Sequence, residues 1–132
     1  LRNNYEEIYK NYISYLNENI PDMGETLTYW VDPLKSTKTR SIMLPFNHNI
    51  DGNVQYFTLE LYIFVLDSNP ANITIKQLNL MKQLCAIIHN SGAVEKGRIV
   101  DADYITPAPE LQNIGMLRLE IKLTVDYIDD CD

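Results

Sequence analysis

At 132 residues, with 45% apolar and 22% charged side chains, the chain suits one domain with one core and is too apolar to be disordered by default. Its formal charge of −7 argues against a surface that wraps nucleic acid by neutralising phosphates, and against an anionic membrane surface as partner. It has no run of ~18 apolar residues, the length a membrane-spanning helix needs.

The first helix is expected over about Asn3 to Asn19. Tyr5, Ile8, Tyr9, Tyr12, Ile13, Leu16 and Ile20 recur at helical spacing, while Glu6, Glu7, Lys10 and Asn11 fill the other face. Pro21 stops it. The four tyrosines 5, 9, 12 and 15 are expected to pack on a sheet. Leu27 to Val31 reads as a short strand, broken by Asp32-Pro33. The segment Lys35 to Ser41 then carries Lys35, Lys38 and Arg40 with no acid. It is expected to be an exposed loop, solvated or docked on an acidic partner.

Ile42 to Phe46 is a second apolar run, and its Pro45 points to an edge strand or a strand end. Asp51-Gly52 is a turn signal. Val54 to Leu66 reads as a long strand, with Phe57, Leu59, Leu61, Ile63 and Val65 on one face. The other face turns apolar toward its end, so that half is expected to be covered on both sides. The second helix is expected to start at a Thr74-x-x-Gln77 capping box stapled by Ile73 and Leu78. Its predicted stripe is Leu78, Met81, Leu84, Cys85 and Ile88, and Gly92 is its predicted cap.

Gly97 to Ile105 reads as a strand and Thr106 to Glu110 as a crossing loop or the tip of a long hairpin. Gly115 to about Ile128 is the clearest strand, alternating strictly from Leu117 to Tyr127. At this length it would span ~45 Å, which implies a bulge or a projecting hairpin. Asp129 to Asp132 is an acidic tail. The order predicts one α+β domain over residues 1–132. Its sheet would be antiparallel or mixed with a long C-terminal hairpin, and both helices would lie on one face.

Chemistry is sparse. His48 and His89 are far apart and His48 reads as a loop residue. Neither a zinc-type pairing nor a nucleophile elbow is present, and the five glycines are too scattered for a phosphate loop. Asp101 and Asp103 share one strand face. They could hold a hard cation, but a solvated face or pairing with Arg118 or Lys122 is the simpler expectation. Cys85 is expected in the core, and with Cys131 in the tail no disulfide framework is expected, which suits a reducing compartment. Leu1 to Tyr5 lacks a signal-peptide pattern. No catalytic residue, metal site or cofactor is assigned.

The whole order resembles the tail terminator, or tail-completion, proteins of tailed bacteriophages and related neck proteins. The resemblance rests on the helix, the strand pair with its basic loop, and the Tyr56 to Val65 strand. The central helix and the Gly115 to Val125 strand complete it. It implies a non-catalytic virion subunit, made in the host cytoplasm, that forms a ring, commonly a hexamer. The ring would cap the tail tube and meet head-completion proteins, with DNA passing through without specific binding. Two positional expectations accompany it: a docking loop at Lys35, Lys38 and Arg40, and an inter-subunit strand face at Arg118, Glu120 and Lys122. A different neck or tube subunit, a ligand-binding α+β module, and an enzyme gathering Asp101, Asp103 and His48 remain as alternatives.

Overall fold

In the computed structural model, residues 5–52, 54–89, 96–105 and 113–125 are described. The elements are α1 (Tyr5–Asn19), β1 (Glu25–Leu27), β2 (Arg40–Asp51), β3 (Val54–Leu66), α2 (Pro70–Ile88), β4 (Lys96–Ile105) and β5 (Ile114–Val125). One five-stranded sheet has the order β1-β2-β3-β5-β4. β1 pairs parallel with β2 and every other pair is antiparallel, so the fold is α+β with a mixed sheet. The expected Gly92 cap, the 106–110 crossing loop and the acidic tail with Cys131 lie outside the described residues.

α1 forms as its spacing requires. Tyr12, Leu16 and Ile20 are buried, Ile8, Tyr9 and Ile13 pack beside them, and Pro21 opens a single 3₁₀ turn, Pro21–Met23. The odd-numbered side chains of β3, from Phe57 to Val65, are buried with Leu117, Leu119, Ile121 and Leu123 of β5. They join the buried residues of α1 and α2 in one core, so both helices cover the same face. The hydroxyl of Tyr15 donates to the Ile87 carbonyl (3.1 Å) and ties the two helices together. Tyr9 donates to the Met43 carbonyl, tying α1 to β2. Burial pushes the Tyr12 hydroxyl above its ordinary pKa, with the neighbouring Tyr15 adding to the effect.

Four expectations need correcting. The strand at 27–31 is instead β1 at Glu25–Leu27, because Trp30 folds over the sheet and stacks edge-on against Tyr62 (5.2 Å) and Phe64 (5.8 Å). That aromatic cover also explains why Phe64 is buried on the helix-free face, as its apolar neighbours predicted. The strand at 42–46 runs on to Asp51, so His48 is a strand residue. A bulge at Phe46 absorbs Pro45 and lets the long β3 template the rest.

α2 starts at Pro70, capped by Asn69, whose side chain accepts from the Ala71 amide (3.1 Å), and not at Thr74. Pro suits this first position because its missing N–H would be unpaired there. The buried stripe of α2 is Ile73, Gln77, Leu80, Leu84 and Ile88, rotated from the expected one, which leaves Cys85 exposed. Gln77 is the reason: its side-chain amide donates to the carbonyls of Ile105 (3.2 Å) and Met116 (2.9 Å), binding α2 across the ends of β4 and β5. Those bonds let a polar residue occupy a core position.

Two glycines close turns under different constraints. Gly24 has φ +69°, and a Cβ there would sit 2.1 Å from the Thr39 carbonyl oxygen, while Gly52 has φ +60° and open space. Gly52→Ala is expected to cost about 1 kcal/mol, the ordinary left-handed penalty. Gly24→Ala is expected to cost more than about 2 kcal/mol, since backbone must move as well. Urea unfolding of the two variants measures the difference.

Candidate functional site

The helix-free face of the sheet carries the even-numbered side chains of β3 and β5. Its centre is Arg118, whose side chain is 19% exposed. The guanidinium meets Asp101 at 2.6 Å, Asp103 at 2.9 Å and Glu60 at 3.5 Å. Register explains the convergence: Arg118 lies opposite Tyr62 on β3 and opposite Asp103 on β4. Partial burial works against its charge, but the bonds it donates to Asp103 and Asp101 outweigh this and raise its pKa. The expected pairing of Asp101 and Asp103 with Arg118 is therefore present, and the cation between them is a guanidinium.

Glu120 is the register neighbour of both Glu60 and Asp101, so a fourth carboxylate stands beside the three that meet the guanidinium and this part of the face is acidic. The Tyr62 hydroxyl donates to Glu60; burial first, then this bond, pushes its pKa up. Lys122 lies 4.2 Å from the Tyr56 ring centroid, a cation–π distance. Of the expected inter-subunit face, Arg118 is thus engaged within its own chain, Lys122 rests on an aromatic ring, and Glu120 sits between like charges.

The basic loop divides in two. Lys35 belongs to the 3₁₀ turn Pro33–Lys35, and it and Lys38 are exposed, with no ion pair among the described residues. Arg40 instead begins β2 opposite Phe64, half-buried. Tyr29, Trp30 and Leu34 add exposed apolar surface to this loop.

The enzyme alternative required His48, Asp101 and Asp103 to meet. The structure places His48 elsewhere: its Nε2 lies 3.0 Å from Gln55 Oε1, and its ring is tilted against Tyr5, 4.1 Å between centroids, on the helix side. Among the described residues no group of His, Cys, Asp and Glu is arranged to hold a metal ion, and no helix is long and apolar enough to cross a membrane. A cavity of about 200 Å³ lies between Asp22, Thr39, Val65, Lys76, Asn79 and Leu80. That is below the ~300 Å³ at which small-molecule sites begin.

Sequence reasoning missed the condition of the sheet edges. β1 covers only Arg40 to Ile42 of β2, so Met43 to Asp51 have no outer strand among the described residues. β4 is the opposite edge. Each carries a bulge, at Phe46 and at Val100, and both bulge residues are exposed. Proline and bulges limit uncontrolled pairing at such edges. Strand order is a tertiary property, so only the Pro45 signal hinted at one of them.

No protein-family model matches the chain, and no curated protein matches its sequence.

Arg118→Met is expected to cost about 1–3 kcal/mol, because it leaves half-buried Glu60 facing Glu120 without a cation. Adding Glu60→Gln should recover part of that loss. A double-mutant cycle by chemical denaturation measures the coupling.

Proposed function

We propose that the chain is a structural virion subunit, a tail terminator. It forms a ring, with a hexamer as the working stoichiometry, that caps the tail tube and presents a surface to head-completion proteins. The observation that carries this reading is that, among the described residues, the sheet ends in two unlike edges, β4 and the Met43 to Asp51 part of β2, that have no outer strand. A contact between two different surfaces of the same chain is heterologous, and such contacts generate closed rings when the rotation closes.

Two further features fit. The acidic balance suits a channel that DNA passes without sticking. The exposed Lys35 and Lys38, beside Tyr29, Trp30 and Leu34, suit docking of an acidic neighbour such as a tube subunit or head-completion protein. The structural role needs no cofactor. It places the protein in the tail or neck of the particle, after synthesis in the host cytoplasm.

Mixing purified protein with growing tail tubes tests the reading by negative-stain microscopy. Isolated rings, capped tube ends and arrested growth are expected, and Lys35→Glu with Lys38→Glu should reduce capping without unfolding the subunit. Stacked tubes made of the protein itself would instead identify a tube subunit. A strict monomer that ignores tube ends would overturn the proposal.

A further inference from the structure

The two edges are complementary in direction, charge and apolar surface. β2, β3, β5 and β4 alternate in direction, so β4 runs antiparallel to β2 within its own sheet. If a second copy extends the sheet with its helices on the same side, its β2 edge meets β4 antiparallel. The start of β4 then lies beside the end of β2. Lys96 and Arg98 stand at the start of β4, on the helix-free face opposite Thr124 and Lys122. Asp51 stands at the end of β2 on the same face, opposite Val54. All three are exposed and make no ion pair among the described residues.

The helix-bearing side matches too. Ile50, 58% exposed, lies opposite buried Gln55, so it projects on the helix side of β2's free edge. On β4 that side carries half-buried Ile99 and Ala102 and exposed Tyr104. Above them is a flank of α2. Lys76, Gln83 and Ile87 face Asp67, Asp22 and Tyr15, so the opposite flank, with Leu78, Met81 and Cys85, turns toward β4. Leu78 is exposed and Met81 is only partly covered, so α2 has more apolar surface than its own sheet buries.

We propose that β4 and this flank of α2 form the acceptor for a second copy of the chain. That copy supplies Met43 to Asp51 as an added strand, places Asp51 beside Lys96 and Arg98, and buries Ile50 against the apolar flank. The inference rests on the ring reading and specifies its contact. Backbone pairing gives the interface its strength, while the charges set the register and exclude the reversed pairing.

Sedimentation velocity tests it on the full chain, alone and with tail tubes. Asp51→Lys, the pair Lys96→Glu with Arg98→Glu, and Ile50→Asp should each weaken association at least about tenfold. All the altered side chains are exposed, so the circular dichroism of the monomer should be unchanged. The chain carrying Asp51→Lys, Lys96→Glu and Arg98→Glu together should regain association, because every junction then pairs opposite charges again. If wild type forms rings and the variants associate equally well, or the combined variant fails to recover, this contact is wrong and the ring reading stands. If wild type neither associates nor caps tubes, both fall.

Discussion

The odd-numbered face of β3 has to leave water, and that requirement places nearly every other element. Phe57, Leu59, Leu61, Ile63 and Val65 are all buried on it. At ~1.5–3 kcal/mol for each fully buried large side chain, the gain is of the order of the whole net stability of a domain. β2 and β5 flank β3 along almost its full length. α1 and α2 then share the face these three strands present, and the tyrosines of α1 hydrogen-bond to β2 and α2 where the layers meet. The other face needs less cover, and Trp30 supplies it only over Tyr62 and Phe64. The remainder is left to charge, organised around Arg118.

How much of this was legible follows the kind of signal. α1, β3 and β5 were readable because their apolar periods are unbroken on the face that meets the core. That Asp101 and Asp103 share a face was readable from period-two alternation, and pairing with Arg118 was one of the expectations this left open; the β4–β5 register decides it. α2 was misread by a rotation because Gln77, a polar residue, holds a core position through bonds to Ile105 and Met116 that no sequence pattern announces. The surplus apolar residues Leu78, Met81 and Cys85 then looked like the buried stripe. β2 was cut short because Pro45 signals an ending, whereas a bulge at Phe46 carries the ladder past it. Trp30 counted toward a strand by propensity but serves as a lid. Strand order, and with it the identity of the free edges, depends on partners far apart in sequence. None of the local patterns contained it.

The misread stripe of α2 bears on function. A helix with apolar residues beyond what its own sheet covers, next to an unpaired strand, has two reasons to meet a further chain. The other free edge presents Phe46 and Ile50, which likewise lack cover. The bulges at Phe46 and Val100 keep either edge from pairing without restriction, which would suit the proposed ring, whose contact closes at a fixed number of copies. The acidic cluster at Arg118 is satisfied largely within the chain, although its Asp101 and Asp103 stand on β4 beside the proposed contact, on the helix-free face. Lys35 and Lys38, also exposed, are proposed to meet a different neighbour.

The central claim is that assembly joins one sheet to the next through these edges. Hydrogen exchange, comparing free subunit with assembled ring, tests it residue by residue. The account predicts new protection confined to amides of Met43 to Asp51 and of β4, with Arg40 to Ile42, already paired to β1, unchanged. Protection appearing instead on the helix-free face loop at Tyr29 to Lys38, with both edges exchanging as fast as in the free subunit, would contradict it.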